Sequence, residues 1–243
     1  MSKIKIVATL IVISLAGTVM AADYQYFWGN ANGDWSNPAT WSGGSTCPSP
    51  TSPINDIAII IGGVTINVTT DGQGSIDLMH GYHVGNNILN VAAGKHLQIT
   101  HVAQLGCGND TDSTATGTLN VYGSFYAEQL NVANNKYVTG VANVFDGGSL
   151  VVGDWGLNVG KLDAAGTGTI NLKGGSLAVN EGSGIVINPQ GRINIEKGTL
   201  SVFDPDGSQQ YYIDQYITDG LLIGYNGDVQ LTVEVNSITG SFM

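Results

Sequence analysis

The tripeptide Leu119-Asn120-Val121, one asparagine between two apolar residues, recurs along most of the chain. The other copies are Ile66-Asn67-Val68, Leu89-Asn90-Val91, Ala142-Asn143-Val144, Ile170-Asn171-Leu172 and Ile193-Asn194-Ile195. Successive asparagines are separated by 23, 30, 23, 28 and 23 residues. A fixed period of this length is the signature of a repeat architecture.

Two further short apolar segments follow the asparagine segment in most repeats. The first of them reads Ile76-Asp77-Leu78, Leu97-Gln98-Ile99, Leu150-Val151-Val152, Leu177-Ala178-Val179 and Leu200-Ser201-Val202. In the third repeat, Phe125 and its neighbours take this place less clearly. The second segment reads His83-Val84-Gly85, Gln104-Leu105-Gly106, Leu130-Asn131-Val132-Ala133, Leu157-Asn158-Val159-Gly160 and Ile185-Val186-Ile187-Asn188. Each repeat is therefore predicted to contain three short strands separated by corners.

Strands this short are not stable alone, and one repeat cannot bury its apolar face. Stacked in parallel about 4.8 Å apart, equivalent strands form three sheets around one core. Leu, Ile and Val then point inward, the middle residue of each segment points outward, and Gly and Asn supply the left-handed corners. The sequence predicts an all-β, single-stranded parallel β-helix of about six rungs. Propeller blades are longer than 23 residues, and antiparallel sandwiches have no such fixed register.

Four regions are expected along the chain. Residues 1–21 read as a signal peptide, since Lys3 and Lys5 precede an apolar run and a small-residue cleavage site. Residues 22–62 are expected to form a Trp-rich N-terminal cap, and residues 63–203 the β-helix. Residues 204–243 are expected to form a C-terminal cap with a helix from Ser208 to Thr218 and a strand from Gly227 to Val235.

The chain is acidic and poor in charge, with a net charge of −11, 8 Lys plus Arg, and 11% charged residues. Such a surface repels nucleic acid and anionic membranes. No further apolar stretch is long enough to cross a bilayer, so no membrane insertion is expected after signal cleavage. These features predict a secreted or cell-surface protein whose partner is a surface polysaccharide or another exterior protein.

Several motifs carry a resemblance to a known group. They are the opening Tyr26-Phe27-Trp28-Gly29 and Gly33-Asp34-Trp35-Ser36-Asn37-Pro38-Ala39-Thr40-Trp41, the segment Asp56-Ile57-Ala58-Ile59-Ile60, the Gly-Thr-Leu-Asn-Val repeats, and the Tyr/Ile-rich segment from Tyr211 to Leu222. Their order resembles exported bacterial right-handed β-helix repeat proteins, which are similar to the strand repeats of autotransporter passengers. Members often end in a Pro-Glu-Pro sorting tail, which this sequence lacks. The resemblance implies the fold and an extracytoplasmic location, with no established chemistry.

Catalysis is not expected. Parallel β-helices include polysaccharide lyases and hydrolases, which need a paired base and cation or two carboxylates on neighbouring rungs. The outward positions of the predicted strands carry asparagine, glutamine, valine, small residues, one histidine (His83) and only one aspartate, Asp77. No catalytic residue and no cofactor is therefore assigned.

The asparagine row, Asn67, Asn90, Asn120, Asn143, Asn171 and Asn194, is interpreted as a structural ladder of stacked amides. A glycan-binding role for this row is the weaker alternative. Trp155, on a glycine-rich corner, and the outward Asn131 and Asn158 are the candidate ligand contacts. Trp28, Trp35 and Trp41 are expected to pack in the N-terminal cap rather than to stack on sugar.

Cys47 and Cys107 are the only cysteines, and an exported chain with an even number is expected to pair them in a disulfide. Asp110 with Asp112, and Asp204 with Asp206, are turn carboxylates that could hold Ca²⁺ weakly, and Asp206 or Ser208 is equally explained as a helix N-cap. The four histidines, His80, His83, His96 and His101, are interpreted as exposed rung residues. No metal site is assigned.

The sequence thus predicts a non-catalytic exported solenoid that is a structural or adhesive component of the cell exterior. The alternative is a carbohydrate-binding module or a degenerate polysaccharide lyase or hydrolase. A patch of exposed aromatic rings flanked by polar groups would favour this alternative, and a bare polar solenoid would favour the first reading.

Overall fold

The computed structural model describes residues 24–42, 46–51, 55–82, 85–107, 114–135, 137–160, 166–180, 182, 184–204 and 207–224. Within them lie seventeen strands and two helices. The strands are β1 (Tyr24–Gly29), β2 (Gly33–Asp34), β3 (Trp41–Ser42), β4 (Asn55–Ile61), β5 (Thr65–Val68), β6 (Gln73–Ser75), β7 (Asp77–Tyr82), β8 (Asn86–Val91), β9 (His96–Leu105), β10 (Thr116–Val121), β11 (Ser124–Val132), β12 (Thr139–Phe145), β13 (Ser149–Val159), β14 (Thr167–Val179), β15 (Ile185–Ile187), β16 (Gly191–Val202) and β17 (Leu222–Gly224). The helices are a 3₁₀ turn (Pro38–Thr40) and α1 (Ser208–Thr218).

The strands form a parallel β-solenoid of about seven turns, which confirms the predicted fold. The first sheet stacks β2, β5, β8, β10, β12, the first parts of β14 and β16, and β17. The second stacks β6, the first parts of β9, β11 and β13, and the last parts of β14 and β16. The third stacks β1, β4, β7, the last parts of β9, β11 and β13, and β15. We number the turns 1 to 7 by their first-sheet strands, from β2 to β16.

The predicted register of the first sheet is confirmed over its whole length. Asn67 pairs with Asn90, and the same in-register pairing continues through Asn120, Asn143, Asn171 and Asn194. Asp34 occupies this position in turn 1 and Ile223 occupies it above Asn194. The asparagine period therefore measures one turn of the solenoid.

The prediction for the first repeat was wrong by one strand. Ile76-Asp77-Leu78 was assigned to the second sheet, yet Leu78 pairs with Ala58 and Ala103 in the third. The second-sheet strand of this turn is β6, whose inward Ser75 is fully buried although it is polar. A search for an apolar pattern passes over such a strand. Of the predicted third-sheet segment His83-Val84-Gly85, the first two residues lie outside the described part of the chain.

The solenoid also begins earlier than predicted. β1 and β4 lie within residues 22–62, yet they already pair in parallel with each other, and β4 pairs in parallel with β7, as third-sheet strands. This accounts for about seven turns rather than six. The predicted signal peptide and the predicted strand from Gly227 to Val235 fall outside the described residues.

One continuous core runs along the inside of the solenoid. Its members are inward Leu, Ile, Val and Phe side chains such as Leu119, Phe125 and Leu172, each fully buried. At the corner from the third to the first sheet the end of one turn touches the backbone of a later turn. Gly106 there has a φ of 68°, and a Cβ added to Gly140 would lie 2.4 Å from the carbonyl oxygen of Leu105. Glycine is required at this corner both for its φ and for this close approach.

Both ends of the core are covered. In the first turn, Trp35 and Trp41 are buried with ring centroids 4.9 Å apart, and the Trp41 indole N–H donates to the Trp35 carbonyl at 2.8 Å. Trp35 and Trp41 therefore pack in the core as predicted, whereas Trp28 is only partly buried, with its ring centroid 6.4 Å from that of Tyr82. At the other end α1 has the predicted bounds and buries Ile213, and Gly220 follows it with a φ of 65°. Among the described residues no helix has the length and hydropathy needed to cross a membrane.

Candidate functional site

A groove of about 720 Å³ runs along the outer face of the second sheet. It extends from β9 in turn 3 to β16 in turn 7, which corresponds to about 19 Å along the solenoid axis at about 4.8 Å per turn. Residues of five successive turns line it: His96, Gln98, Ser124, Tyr126, Val151, Ser176, Leu177, Ala178, Val179, Asn180, Ser201, Val202 and Phe203. Neither Lys nor Arg is among them.

The depression follows from the size of the outward side chains. Gln98, Tyr126, Val151, Ala178 and Ser201 are in register on consecutive turns. They become smaller from Tyr126 through Val151 to Ala178, and Ser201 is also small, so the floor is lower in the C-terminal turns than at Tyr126. The result is a trough lined mainly by apolar and aromatic side chains with a smaller number of polar groups, as is typical of binding clefts.

Two carboxylates lie beside this groove, at the corner from the second to the third sheet. Glu128 occupies the bulge where β11 shifts register between Ala127 and Gln129. It accepts a hydrogen bond from the Tyr126 hydroxyl, and its Oε1 accepts the backbone N–H of Asp154, one turn higher, at 3.2 Å. A Cβ added to Gly153 would lie 2.5 Å from Glu128 Oε2, so a larger residue there would displace this carboxylate from its present position.

The surroundings of the Tyr126 hydroxyl at this corner change its pKa. Burial raises the pKa of Tyr126 to about 12, and the hydrogen bond to Glu128 and the charges of Glu128 and Asp154 act in the same direction. Tyr126 therefore stays protonated and remains a hydrogen-bond donor at physiological pH. The corner is a site of negative potential.

Trp155, the predicted aromatic contact, is next to this corner. Its side chain is 46% exposed, and its ring lies 5.4 Å from that of His101, two turns below. The Gln129 side chain donates to the Trp155 carbonyl at 3.3 Å. Trp155 does not line the groove itself. It directly follows Asp154, whose backbone N–H donates to Glu128, and Glu128 in turn accepts the hydrogen bond of the Tyr126 hydroxyl.

The other two predicted contacts, Asn131 and Asn158, lie on the third sheet and bond to each other. The Asn158 amide donates to Asn131 Oδ1 at 2.9 Å, and Asn131 is only 9% exposed. They are separated from the groove by the corner that carries Trp155. The structure thus places the three predicted contacts apart from the groove residues.

The asparagine ladder of the first sheet is a continuous chain of side-chain hydrogen bonds. Each amide donates to the Oδ1 of the asparagine one turn below, at 2.8 to 2.9 Å from Asn90 to Asn194. Asn67, at the lower end, donates to the Gly33 carbonyl at 3.5 Å. Since the interior amides already donate and accept within the ladder, they have little left to offer a ligand.

Sequence reasoning missed the groove and its acidic corner. Tyr126 lies in the repeat whose pattern was least clear, and Glu128 and Asp154 lie on bulges rather than at outward strand positions. The available signal was the unequal number of residues between the second- and third-sheet segments, which is one in turn 4 (Glu128) and three in turn 5 (153–155).

The predicted disulfide between Cys47 and Cys107 was wrong, because both thiols are free. Cys47 lies in turn 1 beside Asp34, whereas Cys107 follows β9 at the end of turn 3, with its thiol towards the His80 carbonyl at 3.8 Å. Two turns correspond to about 9 to 10 Å along the axis, beyond the ~7 Å at which two Cα atoms can be bridged. Burial raises the pKa of Cys107 to about 12 and also raises that of Cys47, to which the Asp34 charge adds.

The candidate calcium ligands do not form a site among the described residues. Asp204 is buried, and its Oδ2 accepts the backbone N–H groups of Gln209 at 2.8 Å and Gln210 at 3.2 Å, so it caps α1 instead. The N-cap position itself is Gly207, with a left-handed φ of 76°. No group of three metal-ligating side chains occurs in the described parts of the chain. Asp110, Asp112, Asp206 and His83 lie outside them. The prediction that the histidines are exposed was wrong for His80, which is fully buried with its Nε2 2.9 Å from the Thr118 carbonyl oxygen.

No protein-family model, no curated protein and no solved structure matches this chain in the comparisons.

Proposed function

We propose that this protein is a non-catalytic β-solenoid of the cell exterior, a structural or adhesive component that holds a polysaccharide in the groove of its second sheet. The groove is the observation that carries the proposal. It combines rings (Tyr126, His96, Phe203) with amide and hydroxyl groups (Gln98, Ser201) on one face. Sugars present both apolar ring faces and hydroxyls, and such a surface is complementary to both.

The outer face of the first sheet is a less suitable binding surface than the groove, which supports the same assignment. Its outward asparagines bond to one another along the ladder, so that face mainly stabilises the stack. On the second sheet the outward side chains differ from turn to turn and leave a depression. The two faces thus serve stability and binding separately.

The absence of catalysis is supported by the groove floor. A glycosidase places two carboxylates on either side of the scissile bond. The floor positions from turn 3 to turn 7 are Gln98, Tyr126, Val151, Ala178 and Ser201, and none of these is acidic. Glu128 and Asp154 lie together on one side of the groove. Incubation with polysaccharides should therefore release no reducing ends.

Affinity electrophoresis of the purified protein through gels containing polysaccharide tests the binding. Tyr126→Ala should weaken retention about tenfold, as expected for loss of one stacking ring worth about 1.4 kcal/mol. Tyr122→Ala is the matched control, since Tyr122 is 40% exposed at the corner from the first to the second sheet, stacked on Phe145 and away from the groove.

A second test fills the groove instead of removing a contact, and it uses one blocking variant and one control. Ala178→Trp places an indole on the groove floor and should abolish retention, whereas Ala92→Trp, outside the groove, should not. Circular dichroism verifies that each variant is folded. If the Tyr126 and Ala178 variants bind as well as the wild type, the groove is not the binding surface; if the wild type is retained by no polysaccharide, the proposal fails.

Export is the other part of the proposal, and the N-terminal sequence supports it. The charged start, short apolar run and small residues before Ala22 match a cleaved signal. Mass determination of the protein recovered from outside the cytoplasm should give a chain beginning at Ala22. An uncleaved protein found only in the cytoplasm would contradict export.

A further inference from the structure

We infer that the polysaccharide held in the second-sheet groove carries protonated amino groups, as a chain of glucosamine units does. This inference deepens the proposed function and rests on it. The groove provides the docking surface, and the charges around it select the occupant.

The described charges are divided unevenly between the corners of the solenoid. Lys95, Lys173, Arg192 and Lys197 all lie on the first sheet or at the corner from the first to the second. Each has a local partner there: Lys95 is paired with Asp71 at 3.4 Å and Lys197 with Asp146 at 3.0 Å, Lys173 lies 5.6 Å from the centroid of the Phe145 ring, and Arg192 donates to carbonyl groups. Glu128 and Asp154 have no basic partner among the described side chains.

The carboxylates lie at the edge of the groove and not in its lining. Glu128 is bound to the hydroxyl of Tyr126, which lines the groove, and Asp154 follows Gly153 on the turn above. The carboxylates thus form an acidic edge along turns 4 and 5. The hydroxyl of a neutral sugar can donate a hydrogen bond to these carboxylates, but an ammonium group on the sugar ring donates and adds the attraction of opposite charges.

Trp155 adds a second source of cation recognition at the same edge. Its ring is nearly half exposed and is held beside His101 in the neighbouring corner. An indole is the aromatic side chain that attracts cations best. The acidic edge and Trp155 together favour a cationic ligand over a neutral one, and they repel an anionic polysaccharide.

Isothermal titration calorimetry with two oligosaccharides of equal length tests the inference. One is a glucosamine oligomer, and the other is its fully N-acetylated form, which has the same backbone without the charge. We expect the glucosamine oligomer to bind at least tenfold more tightly at low salt, with the advantage shrinking as salt is added.

Glu128→Gln and Asp154→Asn should each reduce the affinity for the glucosamine oligomer about three- to fivefold, the effect of one exposed charge pair. Neither should change binding of the acetylated oligomer. Asp146→Asn is the matched control, since Asp146 is an exposed acid at the corner from the first to the second sheet. It should leave both affinities unchanged.

The outcomes separate this inference from the proposed function. Equal binding of the two oligomers, lost in Tyr126→Ala, would keep the groove as a glycan site and overturn the amino-sugar inference. Equally tight binding of an oligolysine of the same charge would overturn it as well, because the site would then recognise charge alone. If neither oligomer nor any other polysaccharide binds, both proposals fail.

Discussion

The asparagine ladder allows a stability prediction in which two variants of the same chemistry differ by one hydrogen bond. Asn143 donates to Asn120 Oδ1 and accepts from the Asn171 amide, both at 2.9 Å. Asn194 donates to Asn171 at 2.8 Å, but the position above it belongs to Ile223, which offers no amide. Asn143→Ala therefore removes two ladder bonds, and Asn194→Ala removes one.

The magnitude follows from the worth of a side-chain hydrogen bond. At about 1 kcal/mol net per bond, Asn143→Ala should lower the free energy of unfolding by about 2 kcal/mol and Asn194→Ala by about 1 kcal/mol. The two substitutions change the same residue type at equivalent strand positions, so differences in β propensity largely cancel. Urea unfolding followed by far-UV circular dichroism measures both values.

A double variant tests whether the ladder acts as a chain. Asn120 and Asn143 share one bond, so removing both side chains breaks three bonds, whereas the two single variants together break four. The double variant should thus be about 1 kcal/mol more stable than the sum of the single changes predicts. Equal losses in Asn143→Ala and Asn194→Ala, or strict additivity in the pair, would refute the ladder as a source of stability.

Three further predictions concern the core, the thiols and one histidine. Leu172→Ala empties a fully buried core position and should cost about 2 to 5 kcal/mol in urea unfolding, whereas Trp155→Ala, on an exposed corner, should stay within about 0.5 kcal/mol; similar costs would contradict the assigned core. Thiol labelling of denatured, unreduced protein should find two free sulfhydryls, and labelling of the native protein should modify Cys47 before the buried Cys107; a single unlabelled pair would restore the disulfide. Burial lowers the pKa of His80 from 6.5 to about 4, so between these pH values the unfolded chain binds a proton that the folded chain does not. Stability should therefore fall as the pH drops from about 6.5 to about 4, and His80→Gln should show a smaller fall; parallel pH profiles of the two proteins would contradict this.

The fold could be predicted from the sequence because stacking forces equivalent residues into register. An outward asparagine flanked by inward Leu or Val must repeat once per turn, and the observed pairing of Asn120 with Asn90 and Asn143 follows this rule. The helix from Ser208 to Thr218 was equally readable, since Gly220 ends it. Local pattern and packing agree at these places.

The missed strands, the distance between the cysteines and the acidic corner depend on three-dimensional geometry that the asparagine repeat does not reveal. β6 was not predicted because its inward Ser75 is polar. The strands of the first turns were not predicted because residues 24–61 contain no asparagine tripeptide. The even number of cysteines indicated a disulfide. The number of turns between Cys47 and Cys107 could not be counted from the sequence, because some of the strands between them were not predicted. The Glu128 side chain meets the Asp154 backbone at the register shift between β11 and β13, which the repeat pattern does not predict.

The contrast between the two faces explains why the candidate site lies where the repeat is irregular. A face on which every turn carries the same side chain, as the first sheet does, is flat and satisfies its own hydrogen bonds. A recess requires neighbouring turns to differ in side-chain size, and the second sheet meets this condition between Tyr126 and Ser201. The regular ladder fixes the stack of turns, and this rigidity holds the irregular face in one shape for a ligand. On this argument, substitutions in the ladder should change stability before they change binding, and substitutions on the groove floor should do the reverse.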